Sequence, residues 1–333
     1  MILVTGGAGY IGSHTCVELL KSGYDIAVLD NLCNSSEDAL KAVEEITGKK
    51  FPFYCGDMRD EEILERIFTE NKIDAVIHFA GLKAVGESVL IPAEYYDNNI
   101  GGTICLYQQM KKHGVSRIVF SSSATVYGLT DSYSLKEDFP TSATSPYGRT
   151  KLFIEEILKD FCRADENFCA VILRYFNPIG AHESGKIGDS PSGIPNNLMP
   201  YITKVASGKL PFLRVFGNDY PTHDGTGVRD YIHVVDLGLG HISALKHMEG
   251  TTGFSVYNLG TGHGYSVLDI VNAFQQANDI EIPYQIVERR PGDVPVYCAD
   301  PSKAREVLGW TAKYDLEKMC RDSWNYAKNH MDD

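Results

Sequence analysis

A tyrosine and a lysine stand four positions apart in SATSPYGRTKLFIEEI, residues 142–157, where a helical pattern begins. On a helix, Tyr147 and Lys151 share one face. A free tyrosine has a pKa of about 10 and is a poor base at neutral pH. A positive charge about 4 Å away contributes on the order of 4 kcal/mol in a partly buried site. We therefore expect Lys151 to lower the pKa of Tyr147 and make it a general base. Judged alone, the pair fits a capped surface helix better.

A serine-rich stretch changes that balance. Ser123 lies in FSSSATVYG, residues 120–128, at the C-terminal end of the fifth predicted strand. Open parallel sheets bind their ligands beyond the carboxyl ends of their strands. We expect Ser123 to hydrogen-bond a substrate hydroxyl there; the alternative is a serine in a turn.

The segment TGGAGYIG predicts a nucleotide site, because Gly6, Gly9 and Gly12 follow a predicted strand and open a predicted helix. Such glycines let the backbone approach a pyrophosphate, to which the helix N-terminus offers N–H groups. Asp30 ends the next strand, where a carboxylate accepts hydrogen bonds from a ribose diol and repels a 2′-phosphate, which favours NAD over NADP. Asp57 is a candidate for the adenine edge, with a plain surface position equally open.

Short apolar runs alternate with helical segments in the first half of the chain. Strands are predicted at residues 2–5, 26–30, 51–57, 75–81, 117–123 and 169–175. Strand, helix, strand repeats imply parallel pairing, and runs that are apolar throughout indicate burial on both faces. We predict an α/β fold with a doubly wound, parallel, Rossmann-type sheet.

The composition changes after about residue 177, where proline, glycine and asparagine become dense. We predict an NAD-binding Rossmann domain at residues 1–176 and a smaller mixed α/β substrate lobe at residues 177–333. Whether about 230–262 pack back on the first domain is left open.

The charge balance limits the partners. The 333-residue chain has a formal net charge of −13, which argues against nucleic acid or an anionic membrane. Eight cysteines occur without a CxxC pair or metal-ligand spacing, so we expect reduced, mostly buried thiols, no metal and a cytoplasmic location. No signal peptide is recognised at the N-terminus.

Several motifs together resemble the UDP-glucose 4-epimerase family of the extended short-chain dehydrogenase/reductase superfamily. They are TGGAGYIGSHT, DNL, HFAGLKAVGES, YYDNN, SSSATVYG, SPYG, LRYFNP, GIPNNLMPYI, VRDYIHV, YNLGTG, SVLDIVNAF and RRPGD. The resemblance implies a homodimer with tightly bound NAD that interconverts UDP-glucose and UDP-galactose. Tyr147 would take the proton of the sugar 4-hydroxyl while hydride passes to NAD. The 4-keto sugar would then turn over and take the hydride back on its other face.

The same resemblance assigns roles to individual residues. Lys151 would hold the nicotinamide ribose and Ser123 the 4-oxygen. The implied cofactor contacts, besides Ser123, Tyr147 and Lys151, are Gly6, Gly9, Tyr10, Ile11, Gly12, Asp30, Asn31, Leu32, Cys33, Asn34, Ser35, Asp57, Met58, Phe79, Ala80, Gly81, Leu82, Lys83, Asn98 and Phe176. The implied substrate contacts, besides Ser123 and Tyr147, are Lys83, Asn177, Asn197, Leu198, Arg214, Val215, Phe216, Arg229, Arg290, Asp293 and Tyr297. Two arginine forks would neutralise the diphosphate. A side chain as large as Tyr297 would make N-acetylated sugars poor substrates.

Three alternatives use the same fold. Related dehydratases carry an Asp–Glu pair where this chain has Ala124 and Thr125, which argues against elimination. A simple dehydrogenase would need added NAD. A non-catalytic NAD sensor would be expected to lack Tyr147. One departure from the family pattern is the pair Gly101 and Gly102, which is expected to loosen a helix by about 1 kcal/mol relative to alanine.

Overall fold

The structure, a computed structural model, describes residues 1–130, 132–191, 195, 197–290 and 293–331. Parts of two motifs lie outside the described residues, at positions 193, 194 and 196 of GIPNNLMPYI and at 291 and 292 of RRPGD, as do the last two residues of the expected substrate lobe.

The strands and helices alternate through the first half of the chain. The strands are β1 (Ile2–Thr5), β2 (Ile26–Asp30), β3 (Phe53–Cys55), β4 (Ala75–His78), β5 (Arg117–Ser123), β6 (Ser134–Leu135), β7 (Cys169–Tyr175), β8 (Asn177–Ile179), β9 (Leu213–Phe216), β10 (Val228–His233), β11 (Gly253–Leu259), β12 (Gly264–Ser266), β13 (Tyr284–Val287) and β14 (Val296–Ala299). The helices are α1 (Tyr10–Lys21), α2 (Glu37–Thr47), α3 (Glu61–Glu70), α4 (Val85–Leu90), α5 (Pro92–Tyr96), α6 (Gly102–Lys112), α7 (Pro146–Ala164), α8 (Leu198–Ala206), α9 (Val234–His247), α10 (Val267–Asn278), α11 (Ser302–Leu308) and α12 (Leu316–Asn329). A π-helical turn (Asp97–Gly101) precedes α6, and a 3-10 turn (Ala124–Tyr127) follows β5.

Seven parallel strands form the main sheet in the order β3-β2-β1-β4-β5-β7-β11. Helices cover both faces. On one face, Leu19 of α1 and Leu237 of α9 share a core; on the other, Leu64, Leu106 and Leu158 of α3, α6 and α7 share a second one. The predicted doubly wound α/β fold is therefore confirmed.

Two strands are shorter than predicted, because the chain leaves the sheet at its carboxyl edge. β4 ends at His78, after which the N–H groups of Phe79 and Ala80 both donate to the carbonyl of Thr5. β3 covers only Phe53–Cys55. The residues released in this way, from Gly56 and from Phe79 onward, border the cleft described below.

A second, smaller group of strands surrounds β10. Strand β10 pairs with β8, β12 and β14. The short strand β6, from the first half of the chain, pairs with β14. Helices α8, α10 and α12 pack around a core that includes Ile202, Phe274 and Met319.

The later part of the chain contributes to the main sheet. β11 pairs with β7 over its whole length, from Gly253 opposite Cys169 to Leu259 opposite Tyr175. The expected domain boundary at residue 176 falls between β7 and β8.

All eight cysteines are free, and Cys33 and Cys55 are exposed while the others are buried or half-buried. Among the described residues, no helix is both long enough and apolar enough to cross a membrane.

Candidate active site

One continuous cleft of about 2370 Å³ follows the carboxyl edge of the main sheet and passes between the two groups of strands. Most residues predicted to bind a ligand border it. They are Gly6, Gly9, Tyr10, Ile11, Gly12, Asp30, Asn31, Leu32, Cys33, Asn34, Ser35, Asp57, Met58, Phe79, Ala80, Gly81, Leu82, Lys83, Asn98, Tyr147, Lys151, Phe176, Asn177, Asn197, Leu198, Arg214, Phe216, Arg229, Arg290 and Asp293.

The glycine loop between β1 and α1 forms one end of the cleft. A Cβ on Gly12 would lie 2.2 Å from the carbonyl oxygen of Gly6, and one on Gly6, whose φ is +72°, would lie 2.7 Å from the nitrogen of Ala80. Helix α1 starts after Gly9 without a side-chain cap and without an acidic residue in its first turn. Its first N–H groups are therefore free for an anion, as the pyrophosphate of a dinucleotide requires.

Asp30 shapes the next part of the cleft from the end of β2. Its carboxylate accepts hydrogen bonds from the backbone of Ala8 at 3.0 Å and of Leu32 at 2.9 Å, and from the Ser35 hydroxyl at 2.8 Å. Leu32 has a φ of +58°, in the left-handed region. The carboxylate thus fixes the loop after β2 and retains lone pairs for a ribose diol.

The adenine end is bordered by Asp57 and Met58. The Arg59 guanidinium beside Asp57 lowers the pKa of that carboxyl, which therefore stays ionised. The side chain of Met58 lies against Gly102, where an added Cβ would come within 2.5 Å of its terminal methyl group.

Asn99 is a positioning residue that the sequence analysis missed. Its side chain accepts a hydrogen bond from the backbone of Leu82 at 2.8 Å and donates to the Leu82 carbonyl at 3.0 Å and to the Thr150 hydroxyl at 3.0 Å. It thereby ties the loop after β4 to α7. The motif YYDNN contains this residue, but only its neighbour Asn98 was assigned.

Tyr147 and Lys151 lie on the inner face of α7. Ser145 caps this helix by accepting a hydrogen bond from the N–H of Gly148 at 3.1 Å. Lys151 is 5% exposed, and its ammonium donates to the carbonyl of Ser121 at 2.7 Å. The same nitrogen lies 6.0 Å from the centre of the Tyr147 ring.

The expected effect of Lys151 on Tyr147 is wrong for this structure. Burial raises the pKa of Tyr147, and the opposing influence is a hydrogen bond with Ser123. The reason is that the ammonium is directed to the Ser121 carbonyl instead of the phenol. Burial also lowers the pKa of Lys151 to about 8, against a smaller raising effect of Glu155.

Ser123 is half-buried at the end of β5 and is not among the residues that border the cleft. Its oxygen accepts hydrogen bonds from the backbone N–H of Thr125 at 3.2 Å and from the Thr125 hydroxyl at 3.0 Å, and so caps the 3-10 turn. Ser123 is therefore a turn serine that also contacts Tyr147, and its hydrogen bond to a substrate hydroxyl stays a prediction.

Two arginines border the opposite end of the cleft. Arg229 on β10 donates to the carbonyl of Val294 at 2.9 Å and lies 3.6 Å from a carboxylate oxygen of Asp293. The guanidinium of Arg290 lies 3.9 Å from the centre of the Phe216 ring. The fixed orientation of Arg229 and the stacking of Arg290 suit the recognition of phosphates.

Two predicted substrate contacts are placed elsewhere. Val215 alternates with its neighbours on β9, and its side chain is fully buried in the core of the second lobe. The hydroxyl of Tyr297 donates to the carbonyl of Ala124 at 2.7 Å, and its ring lies 5.8 Å from that of Phe176. Tyr297 therefore stands one layer behind Phe176, which does border the cleft.

Further residues of the cleft were not predicted. Ser121 and Tyr175 lie beside Lys151, and their hydroxyl groups form a short hydrogen bond. A period of two along β5 would have placed Ser121 on the same face as Ser123. Burial raises the pKa of Asp189, while Lys83 and a hydrogen bond with Asn197 oppose the increase.

The fold and the site define an enzyme class. A glycine loop, an acidic residue after β2 and a Tyr–Lys pair on one helix are features of the extended short-chain dehydrogenase/reductase class. Residues 3–323 match the model of a family described as GDP-mannose 4,6 dehydratase.

Individual relatives specify the family further. The UDP-glucose 4-epimerase of Bacillus subtilis is 61% identical over 99% of this chain and 97% of its own. The structure of the Bifidobacterium longum enzyme, in complex with NAD+ and UDP, has a TM-score of 0.95 and 55% identity over 99% of this chain and 98% of its own. That of the Stenotrophomonas maltophila enzyme, with bound NAD and formylated UDP-arabinopyranose, has a TM-score of 0.97 and 49% identity over 98% of both chains. This chain belongs to the UDP-glucose 4-epimerase family.

Proposed function

We propose that this protein interconverts UDP-glucose and UDP-galactose with one tightly bound NAD. The observation that carries the proposal is that Tyr147 and Lys151 lie in one cleft between a dinucleotide-type glycine loop and a pair of arginines. NAD use and epimerase activity follow from the family to which the chain belongs. The turn at Gly6 and Gly12 is so tight that an added Cβ would collide with the backbone of Ala80 or of Gly6 itself. The uncapped N-terminus of α1 that follows it fits the pyrophosphate of the cofactor.

The side chains have separate tasks in this reaction. When bound, NAD accepts a hydride from C4 of the sugar and returns it to the opposite face of the 4-keto sugar, so no net oxidation occurs. Tyr147 removes the proton of the 4-hydroxyl and later returns it. Because burial raises the pKa of its phenol, this role requires the positive charge of the oxidised nicotinamide, which would lower that pKa when NAD is bound. Ser123 holds the phenol by a hydrogen bond, and Lys151 provides a positive charge beneath the site.

The second lobe binds the nucleotide sugar. Arg229 and Arg290 neutralise the diphosphate locally, which an acidic chain with a formal charge of −13 requires. Asn177 and Asn197 offer amide groups to the sugar from the cleft wall. These contacts bind without taking part in hydride transfer.

The assembly is proposed to be a homodimer. Helices α4, α6 and α7 expose large apolar side chains on one side of the first lobe, with Val89 62% exposed, Leu90 81%, Ile104 37% and Phe153 45%. Apolar side chains grouped in this way favour a protein partner. A Phe153→Asp variant is expected to be monomeric in light scattering, whereas Tyr133→Asp, at an exposed tyrosine just before β6, should remain dimeric.

The protein is proposed to act in the cytoplasm. Eight cysteines without a disulfide are typical of a reducing compartment. Fractionation of cells that produce the protein would test this assignment.

One experiment tests the main proposal. Purified protein is given UDP-galactose without added NAD, and UDP-glucose is measured. Product should form, and denaturation should release nicotinamide cofactor. Absence of both would contradict the proposal.

A sugar-nucleotide dehydrogenase is the second candidate, since it would use the same pair of side chains. It would consume added NAD in proportion to product. Formation of NADH in solution with each turnover would therefore favour this candidate over the epimerase.

A further inference from the structure

Three consecutive serines at the end of β5 make three different contacts with α7. The carbonyl of Ser121 accepts the hydrogen bond of Lys151 at 2.7 Å, and Ser123 contacts Tyr147. Between them, the Ser122 hydroxyl donates to a carboxylate oxygen of Glu155 at 2.5 Å. The proposed reaction uses the first and last of these serines, and leaves Ser122 and Glu155 without a role.

Glu155 forms a buried ion pair with Arg174 of β7. Two parallel hydrogen bonds join them, at 3.0 Å from the guanidinium Nε and at 2.6 Å from Nη2. The side chains of Arg174 and Glu155 are only 6% and 2% exposed. Arg174 also donates to the carbonyl of Glu137 at 3.2 Å and stacks on the Tyr127 ring at 4.8 Å. Removing one member of such a pair leaves an uncompensated buried charge, so the geometry is strongly fixed.

The pair lies one helical turn below the reacting groups. Tyr147, Lys151 and Glu155 follow one another at intervals of four on α7, which places them on one face of the helix. Glu155 accepts three hydrogen bonds, one from Ser122 of β5 and two from Arg174 of β7, and these fix the height and rotation of this face against the sheet.

The charges around Lys151 come from three elements. On β4, His78 is fully buried, and burial lowers its pKa to about 3, so it is neutral. On β7, the charge of Arg174 is held by Glu155. On α7, Tyr147 is un-ionised because burial raises its pKa. Among the described groups that act on Lys151, Glu155 is the anion.

We propose that Glu155 is a positioning residue for the reaction: its carboxylate, bonded to Ser122 and Arg174, fixes α7 on the sheet and provides the negative charge that keeps Lys151 an ammonium. This inference deepens the proposed function and rests on it. Glu155 does not border the cleft, and acts through Lys151.

A stability measurement tests this charge without using activity. The holoenzyme and its Glu155→Gln variant are unfolded in urea at pH 6 and pH 9. At pH 6 the variant leaves the Lys151 ammonium without its anion, whereas at pH 9 the amine is largely neutral in either protein. The unfolding constant should therefore increase more at pH 6 than at pH 9, by about tenfold for each pKa unit by which the Glu155 carboxylate raises the pKa of Lys151.

Two comparisons isolate the contribution of Lys151. In a Lys151→Met background, the difference between pH 6 and pH 9 should vanish. Asp230→Asn is the matched control, because Asp230 is fully buried and its carboxylate accepts hydrogen bonds from the backbone of Thr261, Gly262 and Ala299, which do not titrate. Asp230→Asn should change the unfolding constant by the same factor at pH 6 and at pH 9. If Glu155→Gln does not fold, a Glu155→Gln, Arg174→Met double variant removes both charges of the pair and permits the same measurement.

The pH profile of the reaction provides the second test. The rate of the wild type should fall as pH rises through about 8, where Lys151 loses its proton. In Glu155→Gln this fall should occur at a lower pH than in the wild type, and Glu155→Asp, which keeps the charge, should restore the wild-type midpoint. Equal pH dependence in all variants, or a pH-independent loss of stability, would leave Glu155 a purely structural residue and overturn the inference. An inactive wild type would contradict the proposed function instead, and the urea data would still test Glu155.

Discussion

Among single residues, Tyr147 carries the proposed chemistry, and its hydroxyl is the group to remove. Tyr147→Phe should lower kcat by roughly 10²- to 10⁴-fold, the usual contribution of a general base. Because the ring is kept, the urea midpoint should remain close to that of the wild type. The measurement is the initial rate of UDP-glucose formation from UDP-galactose. A rate near that of the wild type would require another base.

Substitution of Tyr297, which packs against Phe176 of the cleft wall, tests the proposed sugar specificity. Tyr297→Cys should permit Phe176 to move back and so raise the rate with UDP-N-acetylglucosamine relative to UDP-glucose. The change also removes the hydroxyl bonded to Ala124, which should lower stability by about 1–3 kcal/mol. Tyr297→Phe, which loses the hydroxyl and keeps the ring, is the control and should retain the wild-type preference. Comparable wild-type activity with both sugars would contradict this role.

Individual residues also show how much of the site could be predicted from the sequence. The period of two along a strand would have shown that the side chain of Val215 points away from those of Arg214 and Phe216, so that only its backbone can face the cleft. The capping role of Ser123 depends on the 3-10 turn that brings Thr125 back to it, and no residue pattern predicts that turn. The direction of Lys151 depends on a carbonyl 30 positions away, which a sequence motif does not contain.

At the level of elements, the entry to α6 contains two glycines that differ in their surroundings. Gly101 has helical angles, with φ −56° and ψ −49°, and among the described residues an added Cβ would contact only a carboxylate oxygen of Asp97, at 3.6 Å. Gly101→Ala should therefore stabilise the protein by about 0.4–1 kcal/mol. Gly102→Ala should destabilise it and weaken NAD retention, because the methyl group would collide with Met58. Urea unfolding of the two variants measures both effects, and equal effects would contradict this distinction.

The elements themselves were largely predictable. Fully apolar runs located six strands of the main sheet, since burial on both faces leaves a continuous signal. The pairing of β6 with β14 and of β11 with β7 was not predicted, because it joins segments more than 70 residues apart.

For the whole molecule, buried neutral histidines predict sensitivity to acid. Burial lowers the pKa of His14 and His78 to about 3, and of His182 and His241 to about 4. The unfolded chain binds these protons from about pH 6.5 downward. Stability should therefore be complete above that pH and decrease as the pH falls toward the folded values, by up to about 1.4 kcal/mol per pH unit for each histidine.

Urea unfolding at pH 7 and pH 5 measures this loss. His241→Phe should reduce the difference between the two pH values, whereas His263→Gln, at an exposed histidine, should leave it unchanged. Equal stability at pH 7 and pH 5 would contradict the prediction.

The position of β11 at the end of the main sheet has a consequence for synthesis on the ribosome. Until residue 259 has emerged, β7 has no neighbour on one side, and its seven buried residues form an unpaired edge. Such an edge can pair with another chain. More than 80 further residues must therefore be synthesised after β7 before the seven-stranded sheet is complete. The need for chaperones would be greatest during this interval.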